Sequence, residues 1–125
     1  MTGAPRRTFG AEEELLLIDP ATGAAAPVVA EVLRLAGNGS RNGKSGVVLA
    51  HELKQEQIEG VTGVHTTLAG LAGEIREGRA LADGLAQQIG MRAAALGTPP
   101  LASASHTVPA ARCEALRSRF ALTAA

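Results

Sequence analysis

Residues 9–19 read FGAEEELLLID, and this stretch decides the fold of the chain. Successive side chains of a strand point to opposite faces, so the stretch divides into two sets. One face carries Phe9, Ala11, Glu13, Leu15 and Leu17, and the other carries Glu12, Glu14, Leu16 and Ile18. The residues DPATG at 19–23 follow, with the fixed φ of proline and the positive φ that glycine accepts. We predict a strand over 9–19 that ends in a chain reversal.

Shorter helical and β-like patterns occupy most of the remaining chain. A short helix is predicted over 28–35, and the ten residues GNGSRNGKSG at 37–46 predict a mobile loop. Residues 47–61 give two β-like halves, VVLAHEL and QEQIEGV, and MRAAAL at 91–96 predicts a further short strand. The tail from Pro109 predicts a last helix, with an apolar side made of Ala111, Ala115, Leu116, Phe120 and Leu122.

A long amphipathic helix is predicted between residues 64 and 89. Its apolar side chains recur at spacings of three, four and once seven, at Val64, Leu68, Leu71, Ile75, Ala82, Leu85 and Ile89. Thr62 or Thr66 is a candidate N-cap, and Gly90 is a candidate end. With the strands on either side of it, this helix predicts an α+β fold.

Length and charge exclude several classes of function. The 125 residues form one domain, and 12 basic side chains balance 12 acidic ones, so no net field attracts nucleic acid or an anionic membrane. Phe9 and Phe120 are the only aromatic residues, which leaves no platform for stacking single-stranded bases. The apolar runs are far shorter than the roughly 20 residues of a membrane span. We expect a soluble cytoplasmic protein with no nucleic-acid or membrane partner.

Two acidic groups within apolar strands suggest a divalent metal site. Glu12 and Glu14 share a strand face, with Cα atoms roughly 6.5 to 7 Å apart, and they repel each other unless a cation lies between them. The run HELKQEQIE adds Glu52 and Glu59, with Gln57 on the face of Glu59. Carboxylate oxygens from several strands are what Mg²⁺ requires when phosphate oxygens complete its shell. The alternative is an exposed edge strand whose charges serve solubility, and the residues alone leave both interpretations open.

Other candidate sites find less support in the sequence. The residues GKS at 43–45 match the end of a phosphate-loop pattern. That pattern also requires a glycine at position 38, where this chain has Asn38, so the match is incomplete. The lone Cys113 has no obvious activating partner, so we expect a buried, inert thiol. We expect surface or hydrogen-bonded histidines without zinc at His51, His65 and His106. The charged residues of the long helix are expected on its solvated face: Glu74, Arg76, Glu77, Arg79 and Asp83.

Four stretches in this order carry a family resemblance. They are FGAEEELLLIDPATG at 9–23, HELKQEQIEGVTG at 51–63, RAAALGTPPLA at 92–102 and VPAARCEALRSRF at 108–120. Together they resemble the N-terminal part of the bacterial carboxylate-amine ligases of the glutamate–cysteine ligase type 2 family. The resemblance implies a fold like the catalytic domain of glutamine synthetase, in which an antiparallel sheet curves around the active site and helices cover its outer face.

The resemblance also implies a reaction and its cofactors. In this family, ATP phosphorylates a glutamate-like carboxylate, and an amine attacks the acyl phosphate to form an amide. Mg²⁺ or Mn²⁺ is held by the paired glutamates of the first strand and by two further glutamates seven positions apart. Matched residue by residue, the metal ligands are Glu12, Glu14, Glu52 and Glu59. Gln57 is a polar neighbour that orients a substrate or a metal ligand.

The chain also departs from the family pattern. Where relatives often read GTHP, residues 97–100 read GTPP, so Pro99 replaces a histidine. The sequence ends at Ala125, before the histidine-rich strand and the later charged residues that complete the family's sites. We therefore expect residues 1–125 to be the N-terminal part of one catalytic domain, with only part of the sheet. We also expect a truncated chain with little or no ligase activity by itself.

Two alternatives compete with a ligase. One is a non-catalytic interaction module, or a half-domain that needs a partner chain to supply the missing part. The other is a generic α+β domain whose glutamates are only surface charges, which predicts no affinity for Mg²⁺ or Mn²⁺. The sequence does not fix which carboxylate and amine are joined, and it leaves a homo-oligomer open.

Overall fold

The computed structural model describes residues 5–37 and 46–121, and it has the predicted α+β class. A four-stranded antiparallel sheet and three helices make up these residues. In chain order the elements are β1 (Glu12–Ile18), α1 (Val29–Ala36), β2 (Val48–Ala50), β3 (Gln57–Val61), α2 (Leu68–Gln87), β4 (Arg92–Ala94) and α3 (Ala111–Arg119). The loop predicted at 37–46 and its GKS residues lie outside the described residues, apart from the two end glycines.

The predicted first strand is confirmed, and it lies inside the sheet. The strand order is β2-β3-β1-β4, and every neighbouring pair is antiparallel. Leu15 of β1 is opposite Ile58 of β3, and Leu17 is opposite Ala93 of β4. Because β1 is hydrogen-bonded on both sides, its two faces become the two faces of the whole sheet.

The predicted reversal after β1 is also confirmed. The Asp19 Oδ1 atom accepts a hydrogen bond of 2.8 Å from the backbone N–H of Ala21, and the N–H of Gly23 donates to the Asp19 carbonyl at 2.8 Å. Gly23 has a φ of 75°, which residues with a Cβ rarely adopt. The turn brings Ala25 back beside Ile18 and leads the chain towards α1.

The long helix α2 is confirmed, but it begins later than its apolar pattern predicts. Thr67 is the N-cap, and its hydroxyl accepts a hydrogen bond of 3.1 Å from the N–H of Gly70, so neither predicted threonine caps the helix. Val64 and Leu68 are 75% and 77% exposed, and the first two positions of the apolar pattern therefore do not reach the core. The buried residues of α2 are Gly78, Ala82, Leu85 and Ala86. No helix in the described part of the chain is long and apolar enough to cross a membrane.

The hydrophobic core lies between one sheet face and the helices. Leu17, Ile58, Val32 and Ala82 are each 0% exposed and represent β1, β3, α1 and α2. Burying the side chain of Leu17, Ile58 or Val32 stabilises the fold by roughly 1.5–3 kcal/mol each. Gly78 lets α2 approach the sheet closely, because a Cβ there would stand 3.1 Å from two methyl groups of Val47.

Two charged residues of α2 contact the sheet, so the prediction of a wholly solvated charged face is wrong. Arg79 donates to both carboxylate oxygens of Glu13 on β1, with N–O distances of 2.5 to 3.0 Å. Asp83 accepts two hydrogen bonds from Arg92 of β4 and one from the N–H of Ala93. The Arg92 hydrogen bonds hold the pKa of Asp83 below its ordinary value, against the opposing effect of burial. Sequence periodicity missed these contacts because their partners are distant in sequence.

The tail helix α3 is confirmed, and Leu116 of its predicted apolar side is half-buried, but its fully buried residue lies outside that pattern. Its buried residue is Cys113, whose thiol donates to the backbone carbonyl of Glu52 at 3.3 Å. Ala111, Ala115 and Phe120, predicted to be apolar contacts, are exposed. The prediction of a buried Cys113 is confirmed, and its contact places α3 beside the residues that follow β2.

Candidate functional site

Three of the four predicted metal ligands lie on the sheet face opposite the core. Alternation along β1 directs Glu12 and Glu14 away from the buried side chains of Leu15 and Leu17. The register places Glu14 directly opposite Glu59 of β3, with Glu12 one position further along the same face. Directly opposed side chains on antiparallel strands have Cβ atoms about 4.5–5.5 Å apart. Three carboxylates therefore share one patch of the open face.

The fourth predicted ligand, Glu52, follows β2 two residues after Ala50, which is itself opposite Glu59. Burial raises the pKa of Glu59 above its ordinary value. The charges of three other carboxylates raise it further, in the order Glu12, Glu52 and Glu14. Neighbouring negative charges act in this way only when they are close. Glu52 therefore lies within electrostatic range of the three carboxylates on the sheet face, and we call the four residues the glutamate cluster.

Gln57 adjoins the glutamate cluster on the same face. Its Nε2 atom donates to Oε2 of Glu14 at 3.2 Å, and its backbone position is opposite Leu16. This hydrogen bond orients the amide and leaves the side-chain oxygen of Gln57 able to accept a donor from a ligand. The predicted position of Gln57 beside the acidic residues is confirmed, whereas its role towards a substrate stays a prediction.

The glutamate cluster suits a hard divalent cation by the chemistry of its donors. All four side chains are carboxylates, the oxygen ligands that Mg²⁺ prefers, and the pKa of Glu59 is raised first by burial and then by the charges of its neighbours, which a cation would offset. Within residues 5–37 and 46–121, however, no three His, Cys, Asp or Glu side chains stand close enough together to enclose an ion. Binding would therefore require side-chain rotation, which the exposed Glu12 and Glu14 allow. Their role as metal ligands stays a prediction.

Two cavities flank the glutamate cluster. One, of about 500 Å³, lies at the Glu12 end and is lined by Gly10, Ala11, Glu12, Val61, Thr62, Gly63 and Val64. The other, of about 480 Å³, lies at the Gln57 end between the open sheet face and the segment 97–105. We call this second cavity the Lys54 cavity, because Lys54 is its one basic lining residue among the described residues. Its lining also includes Leu16, Glu56, Gln57, Thr98 and Ser103.

Glu56 is the buried charged residue of this region, and it is not among the residues predicted from the sequence. Glu56 is 5% exposed. Its Oε1 atom lies 2.5 Å from Nδ1 of His106, and its carboxylate accepts hydrogen bonds of 3.1 and 3.2 Å from the His106 backbone N–H. Glu56 lies in the turn before β3 and lines the cavity on the open sheet face, and a buried carboxylate requires a partner. Because it lies outside the regular alternation of β3, the sequence pattern gave no signal for it.

The other histidines are hydrogen-bonded or exposed, as predicted. The ring Nε2 of His65 contacts Glu74, which also accepts a hydrogen bond of 2.9 Å from the N–H of Gly63. His51 is exposed. Neither belongs to the glutamate cluster, so these contacts support the local fold and not the candidate site.

Comparison with known proteins identifies the family. The family model described as "Glutamate-cysteine ligase family 2(GCS2)" matches residues 8–123. A protein of Paenarthrobacter aurescens (strain TC1), named "Putative glutamate--cysteine ligase 2-3", is 47% identical over 118 residues, which cover 94% of this chain and 26% of the relative. A second protein of that strain, named "Putative glutamate--cysteine ligase 2-1", is 43% identical over a region that covers 93% of this chain and 31% of the relative.

A more distant relative from Frankia alni, named "Putative glutamate--cysteine ligase 2-2", is 35% identical over a region that covers 99% of this chain and 35% of the relative. The chain thus spans between 26% and 35% of the length of these three curated relatives. No solved structure matches the chain, so the predicted likeness to glutamine synthetase stays a prediction. From the family match over nearly all of its residues, we conclude that the chain belongs to glutamate-cysteine ligase family 2.

Proposed function

We propose that this chain supplies the divalent-metal site of an ATP-dependent carboxylate-amine ligase of the glutamate–cysteine type. The observation that carries the proposal is the convergence of three carboxylates of β1 and β3 on one sheet face, with Glu52 of the segment after β2 near enough to act on the charge of Glu59. Membership of a ligase family supports the same conclusion. An antiparallel sheet with helices on one face and acidic residues on the other is also compatible with a glutamine synthetase-like fold.

The proposed reaction joins two small molecules at the expense of ATP. The γ-phosphoryl group passes to a glutamate-like carboxylate, which gives an acyl phosphate and ADP. The amine nitrogen then attacks the acyl carbon, inorganic phosphate leaves, the nitrogen loses a proton, and an amide bond forms. When bound, Mg²⁺ or Mn²⁺ would neutralise the phosphate oxygens during phosphoryl transfer.

The residues of this chain would act by position and charge. Glu12, Glu14, Glu52 and Glu59 would hold the cation. Gln57 fixes one carboxylate oxygen of Glu14 through its 3.2 Å hydrogen bond, so that this side chain is partly ordered before a cation binds. The raised pKa of Glu59 means that protons compete with the cation at this residue, and metal affinity should therefore fall as the pH falls. Nothing in the described residues favours the alternative of a non-catalytic interaction module.

The metal site can be tested on the chain itself by titration with Mn²⁺, followed by the relaxation of solvent water protons. We expect Glu59→Gln to weaken Mn²⁺ binding at least tenfold, because it removes one charged ligand and leaves the fold intact. Glu77→Gln is the matched control, since Glu77 is an exposed glutamate of α2 outside the glutamate cluster. Equal Mn²⁺ affinities for the wild type and Glu59→Gln would refute the metal site.

The ligase activity can be tested in a chimera that carries this chain in place of the matching part of the 47% identical Paenarthrobacter relative. We expect ADP release that depends on both glutamate and an amine, and its loss in the Glu14→Gln chimera. The unaltered relative and the Glu77→Gln chimera are the controls. A folded, Mn²⁺-binding chimera without turnover, beside an active parent, would contradict the proposed function of this segment.

A further inference from the structure

Glu52 is the one member of the glutamate cluster that lies outside a strand. Glu12 and Glu14 belong to β1 and Glu59 belongs to β3, so the sheet fixes their positions. Glu52 lies in the connection between β2 and β3, which belongs to no helix or strand. Its charge nevertheless contributes to the raised pKa of Glu59, which places its carboxylate near that residue. What holds the connection therefore decides whether Glu52 can share a cation with the strand residues.

The connection is held by residues 106–108, which lie far along the chain and which we call the support segment. The N–H of Val108 donates to the carbonyl of Leu53 at 2.9 Å, and the N–H of Gln55 donates to the carbonyl of His106 at 2.8 Å. An isolated antiparallel bridge lies between these two hydrogen bonds. The connection thus pairs with the support segment as two short antiparallel segments do.

Gln55 has hydrogen bonds to two other parts of the chain. Besides its backbone bond to the support segment, its side-chain Nε2 donates to the carbonyl of Thr107 at 2.8 Å. Its own carbonyl accepts a hydrogen bond of 3.0 Å from the N–H of Val29 in α1. The side-chain bond is part-buried, so its loss would leave polar groups without a partner. Gln55 stands three residues after Glu52 and is neutral, so it can fix the connection without adding charge to the site.

The backbone of Glu52 is contacted from the same side. The thiol of Cys113 donates to the Glu52 carbonyl at 3.3 Å, and Cys113 is 6% exposed within the core. The support segment is held in turn by the carboxylate of Glu56, which accepts the backbone N–H of His106 at 3.1 and 3.2 Å. These contacts fix the backbone of the connection and do not involve the carboxylate of Glu52.

We propose that Gln55 is a positioning residue of the metal site: its hydrogen bond to Thr107 keeps the connection in the conformation that holds the carboxylate of Glu52 beside Glu59. The carboxylates repel one another when no cation is bound, so a loose connection would let Glu52 move away. The free energy of bringing it back would then be lost from metal binding. The inference rests on the proposed function, because it requires that the glutamate cluster binds a cation.

The test is a double-mutant cycle on the full chain, with Mn²⁺ affinity measured by the relaxation of solvent water protons. We expect Gln55→Leu, which removes the amide donor without a change of charge, to weaken Mn²⁺ binding about tenfold, as is typical of residues that orient a metal ligand. Glu52→Gln should also weaken it about tenfold. The double variant should bind about as well as either single variant, because both substitutions remove the same ligand. A purely structural effect of Gln55 would instead multiply with that of Glu52→Gln, to a loss of about a hundredfold.

Gln87→Leu is the matched control. Gln87 of α2 donates an amide hydrogen bond of the same length, 2.8 Å, to Asp83 outside the glutamate cluster, so its loss should leave Mn²⁺ affinity unchanged. Gln55→Asn is a second test variant, which keeps a neutral amide but shortens the side chain by one methylene group. It should reproduce Gln55→Leu and takes its place if urea unfolding shows that Gln55→Leu does not fold.

Wild-type Mn²⁺ affinity in a folded Gln55→Leu or Gln55→Asn protein would overturn the positioning role. So would a loss of about a hundredfold in the double variant. In either case the metal site itself would stand as long as Glu59→Gln still weakens binding. Equal affinities of the wild type and Glu59→Gln would instead refute the metal site, and this inference with it.

Discussion

The two faces of β1 differ sharply, although their residues alternate in one short strand. Leu15 and Leu17 are 3% and 0% exposed and pack beneath the helices, whereas Glu12 and Glu14 are exposed on the open face. Burial of apolar surface stabilises the first face, and like-charge repulsion acts against the second. The covered side stabilises the sheet despite this repulsion, and the part of the other face that carries Glu12 and Glu14 stays available for a ligand, whereas Leu16 on the same face is 2% exposed.

Glu13 shows that the face, and not the residue type, decides the environment. Its neighbours Glu12 and Glu14 join the glutamate cluster, while Glu13 points to the helix side and pairs with Arg79. That side chain of Glu13 is 25% exposed, so solvent screens the pair and limits its contribution to stability. Three consecutive glutamates therefore have two different roles.

The largest expected change in stability comes from truncating a core side chain on the covered face of the sheet. Ile58→Ala should lower the free energy of unfolding by about 2–4 kcal/mol, because Ile58 is 0% exposed and its truncation leaves a cavity in the core. Urea unfolding monitored by circular dichroism measures the change. Gln57→Ala, one residue earlier and on the open face, is the control and should change stability far less. Similar losses for both variants would contradict the two-face description.

A smaller effect is expected at the edge of the covered face, where Asp83 connects α2 to β4. Asp83→Ala should lower the free energy of unfolding by about 1 kcal/mol at neutral pH, because solvent screens the Arg92 pair. The pKa of Asp83 is lower in the folded state than its ordinary value of 3.8. The stability that Asp83 contributes is therefore present above pH 3.8, and it is lost as the pH falls through the pKa of the folded state. Unfolding curves at pH 7 and near pH 2 should show a difference between wild type and variant that shrinks in acid.

The smallest effect should have the opposite sign. Glu59→Gln should raise the free energy of unfolding by about 0.5 kcal/mol at pH 7 without divalent metal, because it removes a partly buried charge that also faces like charges across the strands. The pKa of Glu59 is raised in the folded state, so ionisation costs stability as the pH rises through that value. The gain should disappear below pH 4.5, the ordinary pKa, because the wild-type Glu59 is then protonated and uncharged in both the folded and the unfolded state. A gain that persists in acid would mean that charge is not its cause.

The features predicted well from the sequence are those with local causes. The alternation of 9–19 and the turn residues DPATG act between near neighbours, and both features occur as predicted. The start of α2 was predicted too early because Val64 and Leu68 match the helical spacing but find no partner surface. The apolar pattern of α3 indicates the half-buried Leu116 but not the buried Cys113, because Cys113 is buried by contact with the distant Glu52.

By itself, the sequence determined the α+β class, the strand that divides two faces, and the family to which four separate motifs belong. Only the tertiary structure decided that Glu14 is opposite Glu59, that Glu13 pairs with Arg79, and that Lys54 and Glu56 line one cavity. The physical reason is the separation along the chain between the residues that interact. Periodicity reports forces between residues a few positions apart, whereas register, ion pairs and cavities depend on residues that only the folded chain brings together.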